Sequence, residues 1–200
     1  MKLYYSPGAC SLSPHIVARE ADLAIELEKT DLTNKTTASG IDFTTINPKG
    51  YVPALQLDDG SVLTEGPAIV QYLADKTPAA NLIPAAGTLA RYRVLEWLNF
   101  ISTELHKSFS PLFNPANSDA RKQEAKDYLA KRFVTVEQQL AKSDYIAGDQ
   151  FTVADAYLFT VLGWGKYVGV ELPAALQNYL GRIYQRPAVQ QALKEEGLLK

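Results

Sequence analysis

The only cysteine of the chain, Cys10, lies where a short predicted strand passes into a helix. Residues 2–5 have the composition of a strand, the turn-forming segment Ser6-Pro7-Gly8 follows, and helical spacing of apolar residues begins soon afterwards. Backbone N–H groups and the positive end of a helix dipole stabilise a thiolate at such a position, whether it belongs to Cys10 or to a bound thiol. The alternative is that Cys10 is a small buried apolar residue, and its position is compatible with both.

A second candidate is the dipeptide Val52-Pro53, which opens a predicted strand over residues 53–57. Proline is tolerated at the first position of a strand, so Pro53 is expected to have a structural role. On local grounds a trans peptide is favoured, and a cis peptide is the minority state. A cis bond would turn the backbone N–H and C=O of Val52 outward, where an extended peptide could pair with it like an added strand.

Glu65 and Gly66 lie where a predicted hairpin meets a predicted helix over residues 67–75. A carboxylate is favoured at a helix N-terminus, so Glu65 could be a cap; alternatively it could receive an ammonium group from a ligand. The N–H of Gly66, which no side chain hinders, could donate to a carboxylate at the same helix end. Together these two residues could hold both charges of an amino-acid head group.

Three polar residues, Asn99, Thr103 and His106, are spaced to share one face of a predicted helix over residues 89–109. Such a row is usually a solvated surface, but it is also what a helix would present to a ligand. The chain has one cysteine and two histidines, and their spacing matches no metal site. We therefore predict no bound metal.

Thr152 and Asp155 begin a strongly apolar predicted helix. A threonine followed three residues later by an acidic residue predicts an N-terminal capping box, although glutamate is the commoner partner. Loss of such a cap typically costs about 1 kcal/mol. We assign Thr152 and Asp155 to folding.

The composition narrows the class of protein. The chain has 200 residues, a formal net charge of -2 and a pI near 5.7, which predicts no bulk attraction to nucleic acid or to an anionic membrane. A single cysteine allows no intrachain disulfide. Neither a signal peptide nor an apolar run of the roughly 20 residues needed to span a bilayer is apparent. We expect a soluble, cytoplasmic protein.

The order of predicted elements changes once along the chain. Strands and helices alternate up to about residue 77, residues 78–87 have the proline and glycine content of a linker, and residues 88–200 have helical periodicity alone. Residues 32–50 are polar and predict a loop with at most a short helix. The fold class is therefore an α/β domain followed by an all-α domain.

Taken in chain order, five stretches resemble the beta class of cytosolic glutathione transferases, a bacterial class. The resemblance extends over nearly the whole chain, and the ordered set is far more specific than any one stretch. One departure is Gly66, where many transferases have a serine, so the backbone alone must make that contact. The matching stretches are residues 5–11 (YSPGACS), 47–55 (NPKGYVPAL), 63–69 (LTEGPAI), 97–107 (WLNFISTELHK) and 151–159 (FTVADAYLF).

The resemblance implies a thioredoxin-like glutathione-binding domain over 1–77, a helical domain over 88–200 that forms the electrophile site, and a homodimer. It implies catalytic roles for Cys10 and His106, with His106 nearest the glutathione thiol. The other implied glutathione contacts are, by part of the ligand, Val52 to the cysteinyl backbone, Glu65 and Gly66 to the γ-glutamyl end, Lys35 to the glycyl carboxylate, and Asn99, Thr103, Glu104, Leu105 and His106 from the helical domain.

The activity implied is conjugation of glutathione, as cosubstrate, to soft hydrophobic electrophiles, as in detoxification. A cysteine at position 10 also allows a mixed disulfide with glutathione, and hence thiol–disulfide exchange, peroxide reduction or reductive dehalogenation. A non-enzymatic alternative is a binding module with the same fold. Retention of Cys10, Val52-Pro53, Glu65 and His106 argues against the last, because a scaffold needs no glutathione contacts.

Overall fold

The computed structural model describes residues 1–199, which form two compact units. The first, here called the N-terminal unit, comprises Met1–Ile83 and the chain from Gln185 onward; the second, the helical unit, is Pro84–Tyr184. The predicted division into 1–77, 78–87 and 88–200 differs at the end of the chain, which groups with the first unit. The reason is a set of ion pairs between the first and last helices, which sequence spacing does not reveal.

A five-stranded mixed sheet forms the centre of the N-terminal unit, in the order β3-β2-β1-β4-β5. The central strand β1 pairs in parallel with β2 and antiparallel with β4, and the outer pairings are antiparallel. Residues Leu3 to Tyr5 of β1 are buried, as expected of a central strand. The elements are β1 Lys2–Tyr5, α1 Leu12–Glu20, β2 Glu26–Asp31, β3 Thr36–Thr37, β4 Ala54–Gln56, β5 Val62–Thr64, α2 Gly66–Lys76 and α9 Pro187–Glu195.

The segment predicted as a loop, residues 32–50, contains the short strand β3 and a 3-10 turn at Phe43–Thr45. Strand β3 is two residues long and pairs antiparallel with β2 as a hairpin, with Thr37 opposite Thr30. Phe43 is fully buried and packs against Tyr4, with ring centroids 5.7 Å apart. The short 3-10 turn agrees with the prediction of at most a short helix, whereas strand β3 was not predicted.

The helical unit contains no strand of the sheet, and its helix α6 is buried at all ten positions. An all-round apolar helix of this kind belongs at the centre of its unit. The predicted helix over 89–109 has a π-helical segment, Ile101–His106, between α3 and α4. The elements are α3 Leu89–Phe100, α4 Lys107–Phe113, α5 Asp119–Leu140, α6 Val153–Leu162, α7 Gly165–Val168 and α8 Ala174–Tyr184.

Helix α6 begins at the predicted capping box. The backbone N–H and the hydroxyl of Thr152 both donate to Oδ2 of Asp155, at 2.9 and 3.0 Å. Oδ1 of Asp155 accepts from the backbone N–H of Ile146 and from the Tyr179 hydroxyl, both at 2.8 Å. Burial raises the pKa of the Asp155 carboxyl, although these four hydrogen bonds oppose the shift. The carboxyl therefore joins α6 to α8 and to the loop before α6.

The last helix, α9, is held to α1 by ion pairs. His15 is fully buried, with Nε2 2.7 Å from Glu195 and Nδ1 3.0 Å from Glu196. The Arg19 guanidinium pairs with Glu195 at 2.7 Å. Arg186, just before α9, pairs with Glu20 at 2.6 Å. These contacts explain why the end of the chain belongs to the N-terminal unit.

Replacing Glu195 by glutamine should make stability less dependent on pH in acidic solution. Burial alone would raise the pKa of Glu195, but hydrogen bonds from Gln191, His15 and Arg19 outweigh it and lower the pKa below its ordinary value. A carboxyl of this kind contributes stability above its unfolded pKa of about 4.3, and the contribution is lost as the pH falls through the lower folded pKa. Denaturant unfolding from about pH 7 to about pH 3 measures this.

Glu171→Gln is the matched control for this prediction, because Glu171 is exposed and belongs to the helical unit. We expect the control to lose stability with acid as the wild type does, and Glu195→Gln to lose less. Identical acid profiles for all three proteins would show that the pairing of Glu195 contributes nothing to stability.

Candidate functional site

The loop between β1 and α1 carries Cys10. Helix α1 begins at Leu12 with Ser11 as its N-cap, so Cys10 immediately precedes the cap. The Ser11 hydroxyl accepts from the backbone N–H of Ser6 at 3.1 Å and donates to the Ser6 carbonyl at 3.2 Å, which closes the loop. The backbone N–H of Gly8 donates to the Glu196 carboxylate at 2.8 Å. The half-buried thiol is thus presented by a loop that hydrogen bonds hold on both sides.

Val52 is the nearest predicted site residue to Cys10. The Sγ of Cys10 donates to the carbonyl oxygen of Val52 at 3.1 Å, across 42 residues of sequence. The Val52-Pro53 peptide is cis, so the local preference for a trans bond is wrong here. Pro53 is followed directly by the central-sheet strand β4. The thiol and the backbone of Val52 therefore lie side by side at the start of α1.

Lys35 lies beside the same segment. Its ammonium donates to the carbonyl oxygen of Gly50 at 3.0 Å, two residues before Val52. Lys35 itself has a φ of 56°, in the left-handed region that non-glycine residues seldom adopt. The turn after β2 thus places the Lys35 ammonium beside Gly50, close to Val52 in the chain.

Glu65 and Gly66 lie at the start of α2. Glu65 has a φ of 71° and a ψ of 114°, and its side chain makes no capping hydrogen bond, so the capping interpretation is wrong. Its exposed carboxylate pairs with Lys49 at 2.7 Å. Gly66 is buried, and a Cβ added there would lie 3.9 Å from Pro53, an ordinary contact. A Cβ would therefore fit at Gly66 without a clash.

The predicted polar face of the helical unit is altered by the π-helical segment. Asn99 lies in α3, whereas Thr103 and His106 lie in the wider π turn, so i, i+4 and i+7 spacing no longer describes one regular face. Thr103 and Asn99 still adjoin, because the Thr103 hydroxyl donates to the Asn99 carbonyl at 3.0 Å. Both residues are exposed. π-Helical turns often occur at functional sites.

Glu104 and Leu105 have partners within the helical unit. The Glu104 carboxylate accepts a short hydrogen bond from the Tyr128 hydroxyl and lies 3.7 Å from the Arg132 guanidinium. The Leu105 side chain is fully buried. A ligand contact from Leu105 would therefore involve its backbone only.

His106 contacts two aromatic residues, Tyr157 and Trp164. Its Nδ1 lies 2.6 Å from the Tyr157 hydroxyl. The Trp164 ring contacts the imidazole edge to face, with centroids 4.8 Å apart. One signal was available in the sequence, since Tyr157 is a hydroxyl within the apolar helix α6 and a buried hydroxyl needs a partner.

Among residues 1–199, no group of three or more His, Cys, Asp or Glu side chains is placed to hold a metal ion. No helix within residues 1–199 has the length and apolar character needed to cross a membrane.

Two family models match the chain in consecutive segments. The model of the glutathione S-transferase N-terminal domain matches residues 8–76, and the model of the C-terminal domain matches residues 100–187. The chain is also 46% identical to glutathione S-transferase GstA of Escherichia coli O157:H7, over 99% of this chain and all of that protein.

Solved structures match at full length as well. A sphingomonad glutathione S-transferase complexed with glutathione is 52% identical, with a TM-score of 0.95, over 99% of this chain and 100% of that one. A beta-class glutathione S-transferase of Sphingomonas chungbukensis is 48% identical, with a TM-score of 0.96, over 100% of both chains. The thioredoxin-like sheet and the helical unit are thus found together in these proteins.

Proposed function

Because this chain belongs to the glutathione S-transferase family, we propose that it is an enzyme that conjugates glutathione to soft hydrophobic electrophiles. The resemblance to the beta class is confirmed by the full-length match to a beta-class structure. The observation that carries the proposal is the contact of Cys10 with the Val52 backbone at the start of α1, together with the Lys35 ammonium bound at Gly50, two residues before Val52. In a small anionic thiol peptide, the thiol would lie at Cys10, the backbone would pair with Val52, and the carboxylate would bind Lys35.

In the proposed complex, each part of the N-terminal unit contacts one part of glutathione. The Val52 backbone pairs with the cysteinyl residue, Lys35 attracts the glycyl carboxylate, and Cys10 lies at the sulfur. Glu65 receives the γ-glutamyl ammonium, and the Gly66 N–H donates to the carboxylate beside it. Hydrogen bonds that involve charged groups contribute about 1.5–3 kcal/mol each, so Lys35 and Glu65 are expected to dominate affinity.

The helical unit is proposed to supply the remaining contacts: Asn99, Thr103, Glu104, the backbone of Leu105, and His106. His106 is proposed as a catalytic residue nearest the sulfur. A free thiol near neutral pH is ionised to only a few per cent, so stabilising the thiolate raises the concentration of nucleophile. The N-terminus of α1, the Cys10 thiol and His106 are the groups proposed to do so.

The ultraviolet absorbance of the glutathione thiolate tests the proposal. Glutathione bound to the protein should ionise well below the pH at which free glutathione does, and an activated aryl halide should be consumed faster with enzyme present. His106→Ala should raise the ionisation pH of the bound thiol. A bound thiol that titrates as in water would exclude thiolate activation, and failure to bind immobilised glutathione would favour a non-enzymatic binding module.

Glu65→Gly should have opposite effects on stability and on binding. The positive φ of Glu65 strains the backbone by about 1–3 kcal/mol, and glycine relieves this strain. Glycine also adds conformational entropy to the unfolded chain, which costs about 0.5–1 kcal/mol. We therefore expect a gain of about 1 kcal/mol in the free energy of unfolding. The KM for glutathione should rise roughly tenfold, because the carboxylate is lost.

Glu65→Gln is the matched control, because it keeps the backbone strain and removes only the charge. It should raise KM for glutathione as Glu65→Gly does and leave stability near the wild-type value. An unchanged KM in both variants would remove Glu65 from the proposed binding site.

A second candidate reaction uses Cys10 as a nucleophile. The contact of its thiol with the Val52 carbonyl favours this candidate, because Val52 is the proposed partner of the glutathione cysteinyl group. The Cys10 thiolate would attack the sulfur of oxidised glutathione, form a mixed disulfide and release one glutathione thiolate. Mass spectrometry without reductant should then find glutathione on Cys10. If the Cys10→Ala variant still conjugates glutathione but no longer catalyses thiol–disulfide exchange, Cys10 serves the exchange reaction.

We expect a homodimer, which sedimentation or light scattering would detect as twice the chain mass of 22.0 kDa. We expect a cytoplasmic location, where a reducing environment maintains both glutathione and the Cys10 thiol.

A further inference from the structure

The contact between His106 and Tyr157 bears on which imidazole nitrogen of the proposed catalytic histidine is protonated. The two residues are 51 positions apart, and the Tyr157 hydroxyl lies 2.6 Å from Nδ1 of the imidazole. Tyr157 belongs to the buried helix α6 and is itself 2% exposed, so its hydroxyl cannot move far. Nδ1 of His106 is therefore occupied by a fixed partner.

The chemistry of the two groups determines the direction of this hydrogen bond. An imidazole nitrogen without a proton is a strong acceptor, whereas a phenol oxygen is a better donor than acceptor because the ring withdraws its lone pairs. The favoured arrangement has Tyr157 donating to Nδ1. In a neutral imidazole the proton must then lie on the other nitrogen, Nε2.

The orientation of the ring is determined separately, by packing. Trp164 contacts the imidazole edge to face at 4.8 Å, with an interplanar angle of 74°. Phe109 and Phe113 in turn pack edge to face on Trp164, each with centroids 5.8 Å away. The aromatic contacts therefore set the plane of the imidazole, and the Tyr157 hydroxyl sets its tautomer.

We propose that Tyr157 is a positioning residue that holds His106 as the Nε2–H tautomer. This inference rests on the proposed function, in which His106 lies nearest the glutathione sulfur. With the proton on Nε2, the imidazole presents a hydrogen-bond donor, which stabilises a thiolate. The other tautomer would present a lone pair on Nε2, which repels the same charge. Tyr157 thus acts through His106 and does not itself touch the reacting atoms.

Long-range proton–nitrogen correlation spectra test the tautomer without any activity measurement. The chain has only two histidines, His106 and His15, so their imidazole signals can be assigned by one substitution. At about pH 8, where an ordinary histidine is neutral, wild-type His106 should show the Nε2–H pattern. In Tyr157→Phe the pattern should shift toward a mixture of tautomers, while His15 stays unchanged.

Tyr92→Phe is the matched control, because Tyr92 is an exposed tyrosine of the same unit, in α3. It should leave the His106 pattern as in the wild type. Tyr157→Phe keeps the buried ring and removes one oxygen, and we expect it to fold. A thermal unfolding curve of each variant checks this before the spectra are compared.

A double-mutant cycle tests the effect on the reaction. Tyr157→Phe should lower kcat for conjugation by roughly tenfold, as loss of the partner that orients a functional histidine does in metal sites, with KM for glutathione nearly unchanged. In a His106→Ala background the same substitution should change kcat by less than about twofold, since the residue it acts through is absent.

The possible outcomes separate this inference from the proposed function. If Tyr157→Phe leaves the His106 tautomer unchanged, the positioning role is wrong even though the enzyme may conjugate glutathione normally. If the tautomer shifts but kcat falls equally in both backgrounds, Tyr157 does not act through His106 and the proposal also fails. If wild type does not conjugate glutathione, the proposed function fails while the spectra still report the tautomer.

Discussion

Replacing Glu196 by alanine should lower the free energy of unfolding by about 3–5 kcal/mol, because two hydrogen-bonded groups lose their partner and each such loss costs about 1–3 kcal/mol, more for a charged group. The Glu196 side chain is fully buried, with one oxygen 3.0 Å from Nδ1 of His15 and the other accepting from the backbone N–H of Gly8 at 2.8 Å. Alanine leaves the buried His15 side chain and the half-buried N–H of Gly8 without this partner. Equilibrium unfolding in guanidinium chloride measures the loss.

The same substitution should also weaken glutathione binding, because Gly8 lies two residues before Cys10 in the loop that presents the thiol. Glu196→Gln is the matched variant: its amide oxygen can still accept from Gly8, so we expect a smaller loss of both stability and affinity. A stability loss below about 1 kcal/mol for Glu196→Ala would mean that water replaces the carboxylate at this site.

Asp155→Ala should destabilise the helical unit by a similar amount, about 3–5 kcal/mol. Its buried carboxyl accepts four hydrogen bonds, from the Ile146 and Thr152 N–H groups and the Thr152 and Tyr179 hydroxyls. Alanine would remove all four and leave these donors buried. Burial is the largest cause of the raised pKa of Tyr179, so its hydroxyl stays protonated without Asp155 and continues to need an acceptor.

Asp149→Asn is the control for this prediction, since Asp149 is exposed in the loop before α6. We expect it to unfold within about 0.5 kcal/mol of the wild type, as surface substitutions usually do. Asp155→Asn should lie between the two, because an amide retains one acceptor oxygen. A loss for Asp155→Ala no larger than about 1 kcal/mol, the usual contribution of a cap alone, would show that the contacts to α8 and Ile146 add nothing.

Local patterns predicted the elements that local physics controls. The capping box at Thr152 and Asp155 forms because its two residues are three positions apart on one helix start. The strand–turn–helix around Cys10 was visible for the same reason, although the helix begins at Leu12, beyond the cysteine. The ordered motifs also identified the family, which the full-length matches confirm.

The errors of prediction concern pairings and turns that residue types alone do not reveal. The short strand β3 pairs with the neighbouring strand β2, and the Glu65 carboxylate binds Lys49 instead of capping α2. The π-helical turn at Ile101–His106 changes a face that regular helical spacing had defined. None of these could be inferred from residue types within a few positions.

The sequence by itself determined the order of elements, the thiol at the start of α1 and the family, because periodicity, turn residues and motif order are properties of the chain. Only the tertiary structure decided which groups meet: Cys10 with Val52, His15 with Glu195 and Glu196, and His106 with Tyr157. The physical reason is that burial and hydrogen bonding act between neighbours in space. Folding brings together groups separated by 42 to 181 residues, and their chemistry follows from that proximity.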